Sequence, residues 1–488
     1  MTTTKAPKTK TTVTSRRFLG VLLLGFTACA TSNDVGAGAD AGATDASATD
    51  ASATDARATD ATATDASAAD ATATDASATD ARVADAAATD ARAADATATD
   101  GGPPGPVDGV IAAMPPGSWK ELPSTHMADV CPPPYEHYGC SAVMSAWSGA
   151  AYDGNHDQLF VFGGGHSDSY YNNVFVFDLA TTTWRRATEL PAGLTGDDTL
   201  PVPAAVYDKR VEPCGLYPSN IPSGTPLNIP AAWLGATGYL MADKCDDPSI
   251  VAQLDAQQPR SRHTYGNLAF SEATNRFYAL GGVVLYPSGQ SLTMRVEGFD
   301  PVTNGWTRYA DNTFVSYGTS ATDGSGNIWY LSTTGKLAKY DAATDQWQAQ
   351  ASDAMGGYYG GAAVDTSRNV LVVTADGKTL YAYALAQAGA PLTTRMASSP
   401  VALAGAPGFE YSPALDRFVA WSGGSAVSML DPVAWTWKAA PATGDVPTAA
   451  SSQGTFGRFR YSRRRNVFVA VNATTEDVFL YKPPPTAP

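Results

Sequence analysis

Hydrophobic and polar positions alternate in short runs from about residue 117 onward, and the runs end in a recurring way. Val174-Phe175-Val176-Phe177 closes on Asp178, Val296 to Phe299 on Asp300, Leu337 to Tyr340 on Asp341, and Ala426 to Leu430 on Asp431. A period of two marks strands with one face turned inward. Six residues after each Asp stands a Trp: Trp184, Trp306, Trp347 and Trp437. The Asp, with the Gly, Thr or Asn beside it, predicts a turn, and the Trp opens the next strand. Upstream of three of these units lies a strand ending in glycines: Phe160-Val161-Phe162-Gly163-Gly164, Tyr278-Ala279-Leu280-Gly281-Gly282, and Val419-Ala420-Trp421-Ser422-Gly423-Gly424.

Strand, Gly-Gly, strand, Asp turn and Trp together resemble the kelch repeat, one blade of a β-propeller of the galactose-oxidase-like superfamily. The resemblance covers roughly residues 117–482, and repeat units of about 40–50 residues fit it. It implies an all-β, kelch-type propeller. Six blades are favoured, at 141–187, 262–309, 313–349, 357–398, 405–439 and 452–482. The fourth has its alternating runs but no Trp. The sixth lacks its outer strand, and the orphan Ser118-Trp119-Lys120-Glu121-Leu122 would supply it and close the ring. A seventh blade in 191–258 is left open. That stretch is rich in Pro and Gly and reads better as a loop insertion.

The N-terminus changes the picture from fold to address. Five basic residues and no acid occupy residues 1–33, ending at Arg16-Arg17 before the apolar run Phe18 to Phe26. The run is too short to span a bilayer, which takes about 20 residues. Residues 1–29 therefore read as an export signal. Phe26-Thr27-Ala28-Cys29 resembles a bacterial lipoprotein box with Cys29 as the lipidated residue, although that family prefers Leu where Phe26 stands. Cleavage after Ala30 with simple secretion is the alternative. Ser15-Arg16-Arg17-Phe18-Leu19 also resembles a twin-arginine signal without its usual spacer. Residues 30–105 lack aromatic residues, and from Thr44 to Asp100 they repeat with a period of five, Thr-Asp-Ala-x-Ala. Such a segment cannot bury enough apolar area to offset its ordering entropy, and its Asp side chains repel. It reads as a disordered stalk ahead of a propeller at 106–488. The expected location is the cell envelope, by a lipid anchor and no other membrane contact.

The net charge is −15 over 488 residues. The stalk carries much of it, with 14 Asp against three Arg between 34 and 100. An acidic balance argues against nucleic acid, since phosphate neutralisation needs a Lys/Arg surplus. Setting Cys29 aside, four cysteines remain and allow three pairings. Cys131 with Cys140 and Cys214 with Cys245 is the expected pattern, each closing a local, strand-poor loop. No CxxC spacing points to a metal, and no cofactor is implied.

In a propeller blade, the loop between strands two and three and the loop entering strand one emerge at one end. That rule gathers His166, Arg262, His263, Tyr265, Tyr358, Tyr359, Glu410, Arg458 and Arg460 on one rim. Arg suits carboxylate or sulfate, and Tyr suits sugar faces. The expectation is a monomeric binding module for a carbohydrate or protein ligand. The alternative is a lyase on uronate glycans, with His166, His263 or Tyr265 as base and Arg262, Arg458 or Arg460 neutralising the carboxylate. For His166 and His263 a plain role, locking neighbouring loops, stands beside the catalytic one. Copper-radical oxidation is not expected, because the rim lacks the Tyr-His dipeptide that galactose oxidase uses. A GxSxG elbow is also missing. The rim sequences further resemble a group of exported bacterial kelch-type proteins, a likeness that supplies a fold and no reaction.

Overall fold

The computed structural model describes residues 105–131, 139–165, 173–188, 230–234, 259, 261–286, 289–309, 312, 314–315, 318–350, 360–374, 379–397 and 406–487. They belong to one compact unit, and the signal and stalk expected at 1–29 and 30–105 lie outside them, save Gly105. The chain enters through helix α1 (Pro106–Ala113), whose start is closed by the Gly105 N–H donating to Asp108 Oδ2 at 2.7 Å. At its other end Lys482 Nζ donates to the carbonyls of Ile111 and Met114, the favourable place for a cation on a helix.

Six sheets follow. Strand β1 (Ser118–Leu122) comes first and is held in reserve for the last sheet. Blade 1 is β2 (Gly149–Asp153), β3 (Gln158–Phe162), β4 (Phe175–Asp178) and β5 (Thr183–Arg186). Blade 2 is β6 (Leu268–Ser271), the long pair β7 (Arg276–Tyr286) and β8 (Gly289–Asp300), and β9 (Gly305–Arg308). Blade 3 is β10 (Gly318–Thr322), β11 (Ile328–Ser332), β12 (Leu337–Asp341) and β13 (Gln346–Ala349). Blade 4 is β14 (Ala362–Asp365), β15 (Val370–Thr374), β16 (Thr379–Ala384) and β17 (Leu392–Ala397). Blade 5 is β18 (Gly408–Ser412), β19 (Arg417–Trp421), β20 (Val427–Leu430) and β21 (Trp437–Ala440). Blade 6 is β23 (Phe459–Ser462), β24 (Val467–Ala470) and β25 (Val478–Lys482), completed by β1 and the two-residue β22 (Thr443–Gly444).

The expected ring closure is present. β1 runs antiparallel to β25, with Trp119 opposite Tyr481 and Glu121 opposite Phe479. The inner strands touch in the cyclic order β2, β6, β10, β14, β18, β23 and back to β2. Apolar residues fill all six seams between neighbouring blades. At the closing seam Trp119 is buried against Trp421, Phe459 and Tyr481, and its Nε1–H donates to Ser425 O at 3.0 Å. Wide sheets that pack face to face around an axis need no edge left open, which is the physical reason the N-terminal strand is recruited.

The repeated Asp and Trp have separate tasks. Each Trp sits across from the residue before the Asp: Phe177 with Trp184, Phe299 with Trp306, Tyr340 with Trp347, Leu430 with Trp437. Each Asp accepts N–H groups from its own turn. Asp431 Oδ1 takes those of Val433 and Ala434 at 2.8 Å, and Asp300 Oδ1 takes that of Val302 at 2.9 Å. The expected Cys131–Cys140 disulfide is formed and packs beside the core between blades 6 and 1. Cys29, Cys214 and Cys245 lie outside the described residues, as does nearly all of 191–258.

Candidate functional site

The inner strands carry a register that repeats in every blade. Two residues before the end of each lie Ala151, Ala269, Ser320, Ala363, Glu410 and Arg460. Directly after each lie Gly154, Glu272, Asp323, Thr366, Pro413 and Arg463. All twelve line one cavity of about 140 Å³ on the axis of the ring. Because successive strand residues face opposite ways, one column of each strand looks into the channel and its neighbours look into the seams. The first set forms a ring at depth. The second forms a mouth, at the end where strands one and two are joined.

At depth, four positions are small and two are charged. Arg460 Nη1 donates to Glu410 Oε1 at 2.5 Å, and Nη2 donates to the Ala150 carbonyl at 2.8 Å. Their side chains are 12% and 20% exposed. Burial raises the Glu410 carboxyl above the usual Glu range, against the opposing pull of the Arg460 guanidinium. Arg460 Nε is buried and has no hydrogen-bond partner. At the mouth, Arg463 pairs with Glu272 at 2.5 Å. Blade 6 and blade 2 are not neighbours, so this pair passes over blade 1 at Gly154. A Cβ there would lie 2.5 Å from Glu272 Oε1 and 3.2 Å from Arg463 Nη2. Asp323 is held by its own hairpin, accepting from Asn327 and from Trp329 Nε1 at 2.9 Å.

The rim expected from loop topology looks different from the sequence expectation. Arg262 is wholly buried, donates to Gly281 O at 3.0 Å and pairs with Glu297 at 2.9 Å. Arg458 is also wholly buried, and it donates to four backbone carbonyls: Ser148, Val471, Asn472 and Gly454. Burial draws its guanidinium down to about 10, so it is still a cation at neutral pH. Arg458 directly precedes β23 and is two residues from Arg460, yet they share no anion site, because Arg458 turns back to tie its own entry loop to blade 1. His263 is 3% exposed and lies against Trp147, with ring centroids 4.6 Å apart. Tyr265 is 7% exposed and packs edge-on to Phe456 at 5.7 Å. Tyr265, Phe456 and Ala406, with Trp147 and Val283 against them, form a small apolar cluster at the end opposite the mouth. Trp147, Tyr265, Ala406 and Phe456 occupy equivalent positions in four entry loops, all with left-handed backbone. His166, Tyr358 and Tyr359 lie outside the described residues.

Of the residues expected to act together, the structure therefore brings two into one cavity, Glu410 and Arg460. It adds Glu272 and Arg463, which sequence reasoning passed over. The signal that finds them is positional: the first residue after each inner strand, read in register across blades. Among the described residues no cluster of His, Cys, Asp or Glu is arranged to hold a metal ion.

The Kelch motif family model matches residues 147–191, which span blade 1. The fold is a kelch-type β-propeller. No match was found among curated proteins. A solved structure, that of YjhT, is similar at 10% identity, covering 69% of this chain and 93% of that one with a TM-score of 0.40. Kelch propellers are in general protein- and ligand-binding platforms.

Proposed function

We propose that this kelch propeller is an exported binding module, held at the cell envelope through Cys29 and the Ala/Thr/Asp stalk, that takes a carbohydrate or protein ligand at the mouth of its axial channel. The observation that carries this reading is the double ring of inner-strand positions, which brings side chains from six strands to one polar cavity. Few-residue concave sites of this kind, with charged groups fixed on rigid strands, are where ligands bind. Of the bases expected for a lyase, His263 and Tyr265 are buried in contacts that join loops, and His166 lies outside the described residues. Arg262 and Arg458 are buried likewise, and Arg460, the one expected guanidinium in the cavity, is paired with Glu410, which favours binding without catalysis.

The test is a binding screen of the full chain on a glycan array and against envelope proteins, repeated with Thr366→Trp. Thr366 is a half-buried mouth residue, and a Trp there obstructs entry. Binding should fall at least about tenfold, or 1.4 kcal/mol, with the melting temperature unchanged. A ligand held equally well by Thr366→Trp binds elsewhere and overturns the channel as the site. Loss of membrane partitioning in Cys29→Ser tests the anchor.

A further inference from the structure

The charges at depth have an order that says what they recognise. Arg460 and Glu410 stand on adjacent inner strands, on one wall of a ring whose other members are Ala151, Ala269, Ser320 and Ala363. The pair leaves the wall electrically neutral. A ligand with a single net charge would bring one uncompensated charge into a confined space, which is costly away from bulk water. A ligand with one positive and one negative group adds none. Arg460 has five N–H donors, of which Glu410 and the Ala150 carbonyl each take one, and a carboxylate can accept from those that remain on Nη1. Glu410 as a carboxylate has more acceptor sites than the Arg460 guanidinium and the Tyr461 N–H use.

Resting on the channel as ligand site, we propose that the depth of the channel binds a small zwitterion of the α-amino acid type, its carboxylate on Arg460 and its ammonium on Glu410. The Arg460–Glu410 pair stays intact, and the ligand lies beside it head to tail, so that four charges alternate around a closed square. The four small ring members supply the room, and the cavity of about 140 Å³ sets the size of the ligand. The other charged and titratable groups facing this point are Arg463 and Tyr461 from blade 6, Tyr411 from blade 5, Tyr152 from blade 1, Glu272 after β6 and Asp323 after β10. Arg463 and Glu272 already neutralise each other, Asp323 is tied into its hairpin, and the hydroxyls of Tyr152, Tyr411 and Tyr461 donate to Asp157, Asp416 and Asn466. Asp323 keeps its charge among neutral donors, but it stands at the mouth, one ring above the Arg460–Glu410 pair.

Isothermal titration of the full chain with free amino acids, and with propionate and ethylamine as the two halves, tests this. At least one amino acid should bind about tenfold or more tighter than either half. Glu410→Gln and Arg460→Gln should each weaken it about tenfold or more. Should either single variant fail to fold, Glu410→Gln with Arg460→Gln together keeps a neutral hydrogen-bonded pair and should also lose the zwitterion. Equal binding of the halves, or a folded variant that binds unchanged, overturns the proposal. A larger ligand blocked by Thr366→Trp without any zwitterion preference leaves the channel reading standing and removes this one. No ligand for the channel at all removes both.

Discussion

The arginines divide by what surrounds their guanidinium. Arg458 donates to four buried carbonyls, so its loss should be expensive and local. Arg458→Met should lower stability by about 3–5 kcal/mol in urea unfolding, since each orphaned buried acceptor costs about 1–3 kcal/mol. Arg460→Gln should cost less, because Gln still offers Glu410 a neutral N–H and the buried carboxyl, already raised by burial, can take up a proton. The loop rule puts both arginines on one rim. It cannot show which would reach the channel, because that depends on carbonyls near residues 148 and 454 that come close only when the ring is closed. The turn aspartates can be read at the same scale. Backbone N–H groups of Ala434 and Val433 hold the Asp431 carboxyl below the usual Asp range, and those of Val302 and Thr303 do the same for Asp300. A depressed carboxyl stabilises the fold above the unfolded value of about 3.9 and stops doing so as pH falls through the folded value. Glu410, raised by burial, works with the opposite sign. The urea midpoint should therefore drop between pH 5 and pH 2.5, and the drop should shrink in the Asp300→Asn, Asp431→Asn double variant.

Strand β1 illustrates what elements add. A Trp-bearing strand without partners at one end of the folded region, and a three-strand unit at the other, were legible as two halves of one blade. The pairing of Trp119 with Tyr481 bears that out. Blade 4, which lacks the Trp, still forms four strands, since Tyr381 and Tyr383 fill the seam with blade 3. What periodicity could not give was the level of each residue along the axis. A loop rule assigns an end of the propeller to a residue, but whether that residue points outward, into a seam or into the channel depends on where its strand begins. Trp119→Ala should cost about 3–5 kcal/mol, as for other large core truncations. A chain beginning at Thr125 leaves β25 as an uncovered edge and should elute as oligomers on size exclusion, whereas one beginning at Gly105 should elute as a single compact species.

On the scale of the whole molecule, the ring makes distant segments depend on one another. Ser118 and Lys482 must meet before the last seam can be packed, so refolding should be slow and limited by contacts of long sequence separation. The mouth depends on the same closure, because Arg463 comes from the last blade and Glu272 from the second. Gly154 lets them meet by offering nothing at the crossing. Its backbone lies outside the left-handed region that excludes side chains, so alanine can be accommodated there without strain of that kind. One added methyl would then act as a wedge under the strap, forcing the carboxylate and guanidinium apart and widening the entrance without touching the floor. Gly154→Ala should speed both entry and escape of whatever the channel holds while leaving equilibrium affinity nearly constant, a signature that stopped-flow kinetics would read directly.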